Sequence, residues 1–325
     1  MRSINNARIN ARTLPVFITL LFVVLLYSCQ SRSALSPREG YVDVKGGKIW
    51  YRIIGTGKGT PLLLTHGGPG STSRSFYLLA GLGKDRPIIL FDQLGSGRSG
   101  HHEDTTLLTV ENFVEQVAAL KTELGLKSFY LHGHSWGTAL ALEYYEKYPE
   151  GIKGLIFNSP YFNTRLWKAD ADTLIMSLPD STQQAIYEGE KTGDFQAAAY
   201  QSANEVYAKN FGIRKTRRTS DLDTASAPGN KFIYNYMWGP TEFTATGTLK
   251  SYDNLDALKA IDVPTLFITG EFDEARPKTV RYFKSLVPDS KMTVIEGAGH
   301  GTMHDNLEQN IAAIKTLLDS LDNRQ

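Results

Sequence analysis

The feature that most constrains the fold is a regular alternation of short apolar runs with longer amphipathic stretches. Several of the runs carry apolar residues at consecutive positions, whereas a strand with one solvent-facing side would alternate apolar with polar residues. Strands buried on both faces are typical of parallel sheets covered by helices. The pattern therefore predicts an α/β protein with helices on both sides of a mostly parallel sheet. The runs are Pro61–Thr65, Pro87–Phe91, Ser128–Leu131, Ile152–Asn158, Thr265–Gly270 and Lys291–Ile295.

The stretches around these runs have the spacing of helices and of one hairpin. Tyr41–Val44 and Ile49–Ile54 alternate on either side of a Gly-Gly turn, which predicts a β-hairpin. The amphipathic stretches that predict helices on the sheet are Val110–Leu124, Trp136–Tyr148, Lys278–Leu286 and Asn306–Leu321.

The alternation stops near Pro160 and resumes near Val263. The intervening segment lacks a clear buried strand and has helical spacing over Asp180–Tyr187 and Phe195–Phe211. Open α/β sheets bind ligands at the carboxyl ends of their strands. We therefore expect a largely helical cap over residues 160–250 that covers this edge, inserted into a core made of residues 40–159 and 251–325.

Charge argues against a nucleic-acid partner. The 325 residues include 35 Lys and Arg and 34 Asp and Glu, which leaves a net charge of +1. Proteins that bind nucleic acids hold the phosphates with an excess of basic residues, and this chain has none. The sequence leaves the oligomeric state open.

The first thirty residues differ from the rest of the chain. Arg2, Arg8 and Arg12 give a positive start, and the apolar run Leu14–Leu26 follows. That run has the length of the central region of a secretory signal and is short for a membrane-spanning helix. It leads into Ser28-Cys29, which resembles the lipobox of bacterial lipoproteins, although Tyr27 is bulkier than the residue usually found there.

The cysteine count favours lipid attachment. Cys29 is the only cysteine, so the chain has no internal disulfide and no cysteine-based metal site. Lipidation would explain a single thiol in an exported protein. We predict a signal peptide over residues 1–28, a lipidated tether over residues 29–39 and a location on a membrane of the cell envelope. An uncleaved signal anchor and ordinary secretion are the alternatives.

Gly133-His134-Ser135-Trp136-Gly137 fits the pattern G-x-S-x-G. It lies between an apolar run and a helical stretch, and this strand–turn–helix context resembles the nucleophile elbow of the α/β-hydrolase fold. In so sharp a turn, bulky side chains two residues either side of the serine would collide, which explains the glycines. The helix would present its positive end to the Ser135 hydroxyl. We predict Ser135 as the nucleophile; the alternative is a plain glycine turn.

The base and the acid are expected later in the chain, since α/β hydrolases have the order serine, acid, histidine. Only His300 and His304 follow the serine. His300 lies in a glycine-flanked loop after an apolar run, where loops carry catalytic groups, and is the predicted base. Asp273 follows the preceding run and is the predicted acid, which would hold the imidazole in the right tautomer. Glu271 and Glu274 are the alternatives to Asp273.

A glycine-rich loop is expected to complete the site. His66-Gly67-Gly68-Pro69-Gly70 follows an apolar run and belongs to the loops that offer a backbone N–H to an oxyanion. Gly67 or Gly68 would supply one donor, and Trp136, the residue after the nucleophile, would supply the other. A plain turn is the alternative. Asp92, which lies after a strand but before Ser135, is interpreted as structural.

Together these motifs resemble the proline iminopeptidase family, α/β-hydrolase aminopeptidases that include the tricorn-interacting aminopeptidase. The resemblance extends from about Tyr41 to about Leu321 and is weakest between Tyr161 and Tyr236. The stretches that carry it are His66–Gly70, Asp92–Ser99 and Gly133–Gly137, with Gly239–Thr248 similar to the family's N-E-F-T-x-x-G-T and Gly270–Glu274 similar to its G-E-x-D-E.

The resemblance implies a role for two glutamates. Glu242 and Glu274 match the carboxylates that bind the free amino group of the substrate in that family. A buried ammonium needs compensating negative charge, which gives the match a physical basis. The implied activity is removal of an N-terminal residue, with proline as a candidate, from short peptides. This chemistry requires no metal and no organic cofactor.

Three other functions are alternatives to this one. A hydrolase of esters, lactones or amides could use the same three residues, because fold does not determine substrate. A dehalogenase or epoxide hydrolase would need an aspartate at the elbow, where this chain has Ser135. A catalytically inactive binding module is disfavoured by the complete set of serine, acid and histidine.

Overall fold

The predicted apolar runs form strands of a single sheet. The computed structural model describes residues 35–101, 103–215 and 228–323. The strands in these ranges are β1 (Arg38–Val44), β2 (Gly47–Ile54), β3 (Leu62–Thr65), β4 (Ile88–Phe91), β5 (Phe129–His134), β6 (Ile152–Asn158), β7 (Thr265–Gly270) and β8 (Ser290–Ile295).

The sheet has the strand order β1-β2-β4-β3-β5-β6-β7-β8. The hairpin β1–β2 and the pair β2–β4 are antiparallel, and every other neighbouring pair is parallel. All residues of β3, β4 and β7 are buried, as expected for strands covered on both faces. The predicted hairpin and the mostly parallel sheet are confirmed.

One predicted boundary needs a correction. β1 begins at Arg38, inside the segment expected to be a tether, because Arg38 and Glu39 pair with Ile53 and Arg52 of β2. The Glu39 carboxylate also accepts a hydrogen bond from Arg52 Nε at 3.0 Å. These two residues are charged and exposed, so no apolar pattern indicated a strand there.

Helices flank the sheet. Two 3₁₀ segments span Ser73–Lys84 and Thr105–Leu107. The α-helices of the described residues are α1 (Val110–Glu123), α2 (Trp136–Lys147), α3 (Thr164–Ile175), α4 (Asp180–Thr192), α5 (Ala198–Phe211), α6 (Lys231–Met237), α7 (Leu255–Leu258), α8 (Pro277–Leu286), α9 (Thr302–Asp305) and α10 (Leu307–Asp322). The four helices predicted on the sheet correspond to α1, α2, α8 and α10.

Two buried clusters form cores in different parts of the chain. One joins strand residues such as Leu64 and Ile268 to the 3₁₀ segment and to α10. The other lies within the segment between β6 and β7 and includes Ile186, Tyr200 and Phe243. The helices of that segment therefore pack around apolar side chains of their own.

The parallel strands bring distant loops to one edge of the sheet. β3 ends before Gly67, β5 before Ser135, β7 before Asp273 and β8 before His300. Because the carboxyl ends of parallel strands meet at the same edge, these loops become neighbours.

The amino-terminal prediction falls outside the described residues. The predicted signal peptide, the run Leu14–Leu26 and Cys29 all precede residue 35, where the described part of the chain begins. Within the described ranges, no helix combines the length and the apolar character needed to cross a bilayer.

Candidate active site

The turn at Ser135 is as tight as the sequence predicts. Ser135 has φ 55° and ψ −128°, a left-handed conformation that a residue other than glycine rarely adopts. A Cβ at Gly133 would lie 2.3 Å from the Gly137 carbonyl oxygen, and one at Gly137 would lie 2.0 Å from the Thr65 carbonyl oxygen. The predicted collision of larger side chains is thus confirmed, and the two glycines are needed to bring β3, β5 and α2 together at the elbow.

The elbow leaves Ser135 at the wall of a cavity. The serine is directly before the first residue of α2, so the positive end of that helix faces it. The cavity has a volume of about 670 Å³, and Ser135, His300, Glu242 and Glu274 line it. The structure therefore brings together predicted site residues from distant parts of the chain.

Asp273 and His300 form a buried pair. His300 Nδ1 donates a hydrogen bond to Asp273 Oδ1 at 2.8 Å, and the carboxylate is fully buried. Burial by itself would raise the pKa of Asp273, but the charge and hydrogen bond of His300 and the hydrogen bond from Ser159 hold it below its usual range. The carboxylate is thus ionised and fixes the tautomer of the imidazole.

Burial disfavours the charged form of His300, but the carboxylates around it reverse that effect. Asp273 raises the pKa of His300 through its charge and its hydrogen bond. The charges of Glu274 and Glu242 raise it further, to about 9. Its Nε2 has no hydrogen-bond partner among the described residues. Ser135 and His300 line the same cavity, but no hydrogen bond joins the serine hydroxyl to His300 Nε2.

The glycine loop lies against the serine. A Cβ at Gly67 would be 3.0 Å from the Cβ of Ser135, so a larger residue there would require its neighbours to shift. Gly68 and Gly67 line the cavity, and Trp136 is the first residue of α2, whose N–H has no partner within the helix. Gln93 braces both parts, because its Oε1 accepts from Trp136 Nε1 at 3.0 Å and its Nε2 donates to the His66 carbonyl at 2.9 Å.

The two glutamates come from different parts of the chain. Glu274 follows Asp273 after β7, and Glu242 lies after α6. Burial and then the charge of Glu242 raise the pKa of Glu274 well above its usual value, and burial raises the pKa of Glu242. Glu274 Oε2 is buried without a partner among the described residues. Two carboxylates that line the same cavity form a site where a cationic group of a substrate can bind.

Aromatic side chains enclose the space beside Ser135. Tyr161, Trp167 and Trp238 line a small hollow together with Ser135 and Glu242. The ring of Trp167 also stands edge-on to His300, with ring centroids 5.5 Å apart, and its Nε1 donates to the Glu242 carbonyl at 2.8 Å. Apart from Ser135 and Glu242, the residues that line this hollow are aromatic or apolar.

Sequence reasoning missed Ser159 and His134. Ser159 is fully buried with φ 51°, and its hydroxyl donates to Asp273 Oδ2 at 2.7 Å. His134 Nε2 donates to the His300 carbonyl at 3.0 Å. The only signal for Ser159 was its position after a buried strand, and a serine before a proline there is ordinary. Asp92, interpreted as structural, accepts from Ser73 N at 2.8 Å and from Arg98 N at 3.0 Å.

These features and a family comparison define the class of protein. The profile of the alpha/beta hydrolase fold family matches residues 60–307, and the chain is an α/β hydrolase. Its sequence is 40% identical over 285 residues to a proline iminopeptidase of Heyndrickxia coagulans, covering 87% of this chain and 99% of that protein. It is 36% identical over 289 residues to one of Lactobacillus helveticus, covering 87% and 98%.

A solved structure agrees with these relatives. The crystal structure of a proline iminopeptidase from Mycobacterium smegmatis superposes with a TM-score of 0.80 at 29% identity, covering 89% of this chain and 99% of that one. The chain belongs to the proline iminopeptidase family.

Proposed function

We propose that this chain is a serine aminopeptidase that releases the N-terminal residue of short peptides. The observation that carries the proposal is the pair Glu242 and Glu274 in the cavity that also holds Ser135 and His300. Two carboxylates in a largely buried site bind a substrate ammonium far better than a neutral acyl group. The names of the relatives support the same activity.

The residues divide the reaction between them. Ser135 Oγ attacks the scissile carbonyl and passes its proton to His300 Nε2, while the N–H groups of Trp136 and of Gly67 or Gly68 stabilise the oxyanion. His300 gives that proton to the departing amine. Water, deprotonated by His300, then attacks the carbonyl of the acyl-enzyme. The bond to Ser135 Oγ breaks, and His300 returns the proton to that oxygen. Asp273 stabilises the imidazolium in both halves.

Binding of the substrate ammonium also changes the pKa of the base, His300. The charge and hydrogen bond of Asp273, followed by the charges of Glu274 and Glu242, raise the pKa of His300 to about 9 and favour the imidazolium. A substrate cation between Glu242 and Glu274 opposes their field and lowers that pKa. Substrate binding thus releases the base that the reaction needs.

The stretch 160–250 supplies most of the recognition groups, and the loop after β7 adds Glu274. We assign it as a cap, since it contains Trp167, Trp238 and Glu242. A hollow with flat aromatic walls and a carboxylate at one end suits a small apolar first residue with a secondary or primary amine. Proline meets this description.

The test uses Glu274→Gln and Glu242→Gln. Removing one partner of a buried charge pair costs about 2–5 kcal/mol, so kcat/KM for a prolyl p-nitroanilide should fall roughly thirtyfold to several thousandfold. Hydrolysis of a neutral acyl ester should change by about a few fold at most. Glu205→Gln, an exposed glutamate away from the cavity lining, is the matched control. Ser135→Ala should lower turnover of both substrates by about a millionfold.

Two results would contradict the proposal. If N-acetylated and free peptides are cleaved equally well by the wild-type protein, no amine site exists, and the chain is a hydrolase of esters, lactones or amides. If the glutamate variants lose ester and peptide hydrolysis together, the glutamates support the Asp273 loop rather than the substrate.

We further infer a lipid anchor at Cys29, after removal of residues 1–28, that holds the protein on a membrane of the cell envelope. The resemblance of Ser28-Cys29 to a lipobox and the single cysteine support it. Cys29→Ser should move the protein out of the membrane fraction or leave an unprocessed precursor. Unchanged membrane association, with no lipid label on the wild type, would refute the anchor. A chain that starts at Leu35 keeps all of β1 and should remain active.

A further inference from the structure

The cavity carries charges of both signs, in different places. Among the described residues that line it, the acidic ones are Glu242 and Glu274, and the basic ones besides histidine are Lys209 and Lys231. Glu274 is buried and Glu242 half-buried, whereas both lysines are exposed. Negative charge therefore lies at the inner end, beside His300, and positive charge lies where the cavity meets solvent.

Backbone contacts connect the helices that carry the two lysines to loops of the site. Lys209 is in the last turn of α5, and the Phe211 carbonyl at the end of that helix accepts from His300 N at 2.7 Å. Lys231 begins α6, directly after Asn230, whose N–H donates to the Gly70 carbonyl at 2.6 Å. One lysine thus belongs to the wall behind the base, and the other to the wall behind the glycine loop.

Neither lysine is neutralised within the described part of the chain. Other lysines there form ion pairs, such as Lys147 with Glu115 at 2.8 Å, Lys259 with Asp256 at 2.6 Å and Lys315 with Asp85 at 2.8 Å. No such pair involves Lys209 or Lys231 among the described residues. Exposed ammonium groups of lysines that line a cavity can bind an anionic ligand there.

We propose that Lys209 and Lys231 bind the C-terminal carboxylate of a short peptide substrate. The inference rests on the proposed function, because the ammonium held by Glu242 and Glu274 sets the direction of the peptide. With its first residue at Ser135, the leaving part of the peptide points to the open end of the cavity. A zwitterionic di- or tripeptide then has both ends matched by opposite charge.

Such a site selects peptide length. Each added residue moves the carboxylate outward by up to about 3.5 Å, and a flexible lysine side chain can follow it only over a limited range. Exposed ion pairs are weak, so each lysine should contribute up to about fivefold in kcat/KM at low salt. Screening by salt should reduce the effect.

The test compares a prolyl dipeptide with its C-terminal amide. The wild-type protein should cleave the free acid faster than the amide, with a kcat/KM ratio of about three to twenty at low ionic strength. In the double variant Lys209→Met, Lys231→Met the ratio should fall to about one, because methionine keeps the side-chain length and removes the charge. Lys250→Met, an exposed lysine outside the cavity lining, should keep the wild-type ratio.

The outcomes separate this inference from the proposed function. If the amide and a prolyl p-nitroanilide are cleaved but the wild-type ratio is one, or if the double variant keeps the wild-type ratio, the carboxylate site is refuted and the aminopeptidase stands. If neither peptide is cleaved and only esters are, both proposals fail. Thermal unfolding of the double variant shows whether the fold is intact.

Discussion

Ser159 is the side chain outside the predicted triad that bears most directly on it. Asp273 accepts hydrogen bonds from the N–H groups of Gly270 and Ala275, which no substitution removes simply. Thr269 Oγ1 is 3.2 Å from Asp273 Oδ2 but only 2.6 Å from the Ala275 carbonyl, so its proton goes to the carbonyl. Among the described residues, the Ser159 hydroxyl, at 2.7 Å, is thus the one removable donor to the acid besides His300.

Ser159→Ala should lower kcat by about tenfold to a hundredfold with little change in KM. A hydrogen bond to a charged group contributes about 1.5–3 kcal/mol, and here it orients the group that stabilises the imidazolium. Steady-state kinetics with a prolyl p-nitroanilide measure the effect. Ser159→Gly also lacks the hydroxyl but relieves the left-handed strain at φ 51°. A glycine variant that keeps wild-type kcat would show that the rate does not depend on the Ser159 hydrogen bond.

The charge of Glu274 should be visible in the pH profile. A neighbouring carboxylate favours the imidazolium, so Glu274→Gln lowers the pKa of His300 from about 9. The acidic limb of kcat/KM reports the base of the free enzyme and should therefore move to lower pH. A neutral ester is the right substrate, since it does not use the amine site. An unshifted limb in Glu274→Gln, with Glu205→Gln as reference, would mean that Glu274 does not act on His300.

For single residues, the sequence predicts those that belong to local motifs. It does not predict those whose role depends on contacts with distant parts of the chain. Ser135 and the glycines at 133 and 137 are spaced by the geometry of one turn, so the pattern is local. Ser159 and His134 matter because β6 and β5 end beside the loop that carries His300. Their contacts join residues more than a hundred positions apart, which no local pattern encodes.

Among the elements, α2 and β3 pack as closely as their backbones permit. The Gly137 position in α2 has no room for a methyl group, because its nearest neighbour is the backbone of Thr65 at the end of β3. A backbone oxygen cannot move aside as a side chain can. The elbow is therefore held by the packing of two elements rather than by the turn alone.

Gly137→Ala should lower the free energy of unfolding by about 3 kcal/mol or more and reduce activity. Gly81→Ala is the matched control, since a Cβ at that exposed position meets nothing within 4 Å. That variant should be neutral or slightly more stable. Urea unfolding at neutral pH measures both. Equal stability of the two variants would show that β3 and α2 can separate without cost.

The prediction of elements succeeds on the sheet and weakens in the segment between β6 and β7. The strands and the helices α1, α2, α8 and α10 have apolar faces that meet the sheet, so their spacing is regular. The helix α3 was not predicted, because its buried face includes Thr164 and Asp170. Thr164 Oγ1 donates to the Leu249 carbonyl at 2.6 Å, and Asp170 forms an ion pair with Arg276 at 3.5 Å. Because buried polar residues take the place of apolar ones on this face, the sequence of α3 shows no regular helical spacing of apolar residues.

For the molecule as a whole, a buried histidine limits stability in acid. His132 in β5 is fully buried, its ring stands edge-on to Phe76, and neither ring nitrogen has a partner among the described residues. Burial, followed by the charge of His134, lowers the pKa of His132 to about 3 from 6.5. Below pH 6.5 the unfolded chain takes up a proton that the folded chain refuses, so acid favours unfolding.

The wild-type protein should therefore lose about 2 kcal/mol of stability through His132 between pH 7 and pH 5. His132→Phe, which fits an apolar site and cannot take up a proton, should lose about that much less over the same interval. Urea unfolding at both pH values measures the difference. His101→Gln, at an exposed histidine, should behave as the wild type. The same acid sensitivity in His132→Phe and wild type would rule out His132 as its source.

The insertion between β6 and β7 separates two tasks along the chain. Ser135, Asp273 and His300 follow strands of the sheet, whereas Trp167, Trp238 and Glu242 lie in the inserted stretch. Apart from Glu274, which follows β7, the proposed recognition groups can therefore vary while the catalytic residues are kept. Replacing residues 160–250 with the matching stretch of a relative should exchange the accepted first residue and leave the rate on a small ester almost unchanged. Evolution of such a protein can therefore change the preferred substrate through substitutions in about a quarter of the chain. The residues that break the bond stay the same.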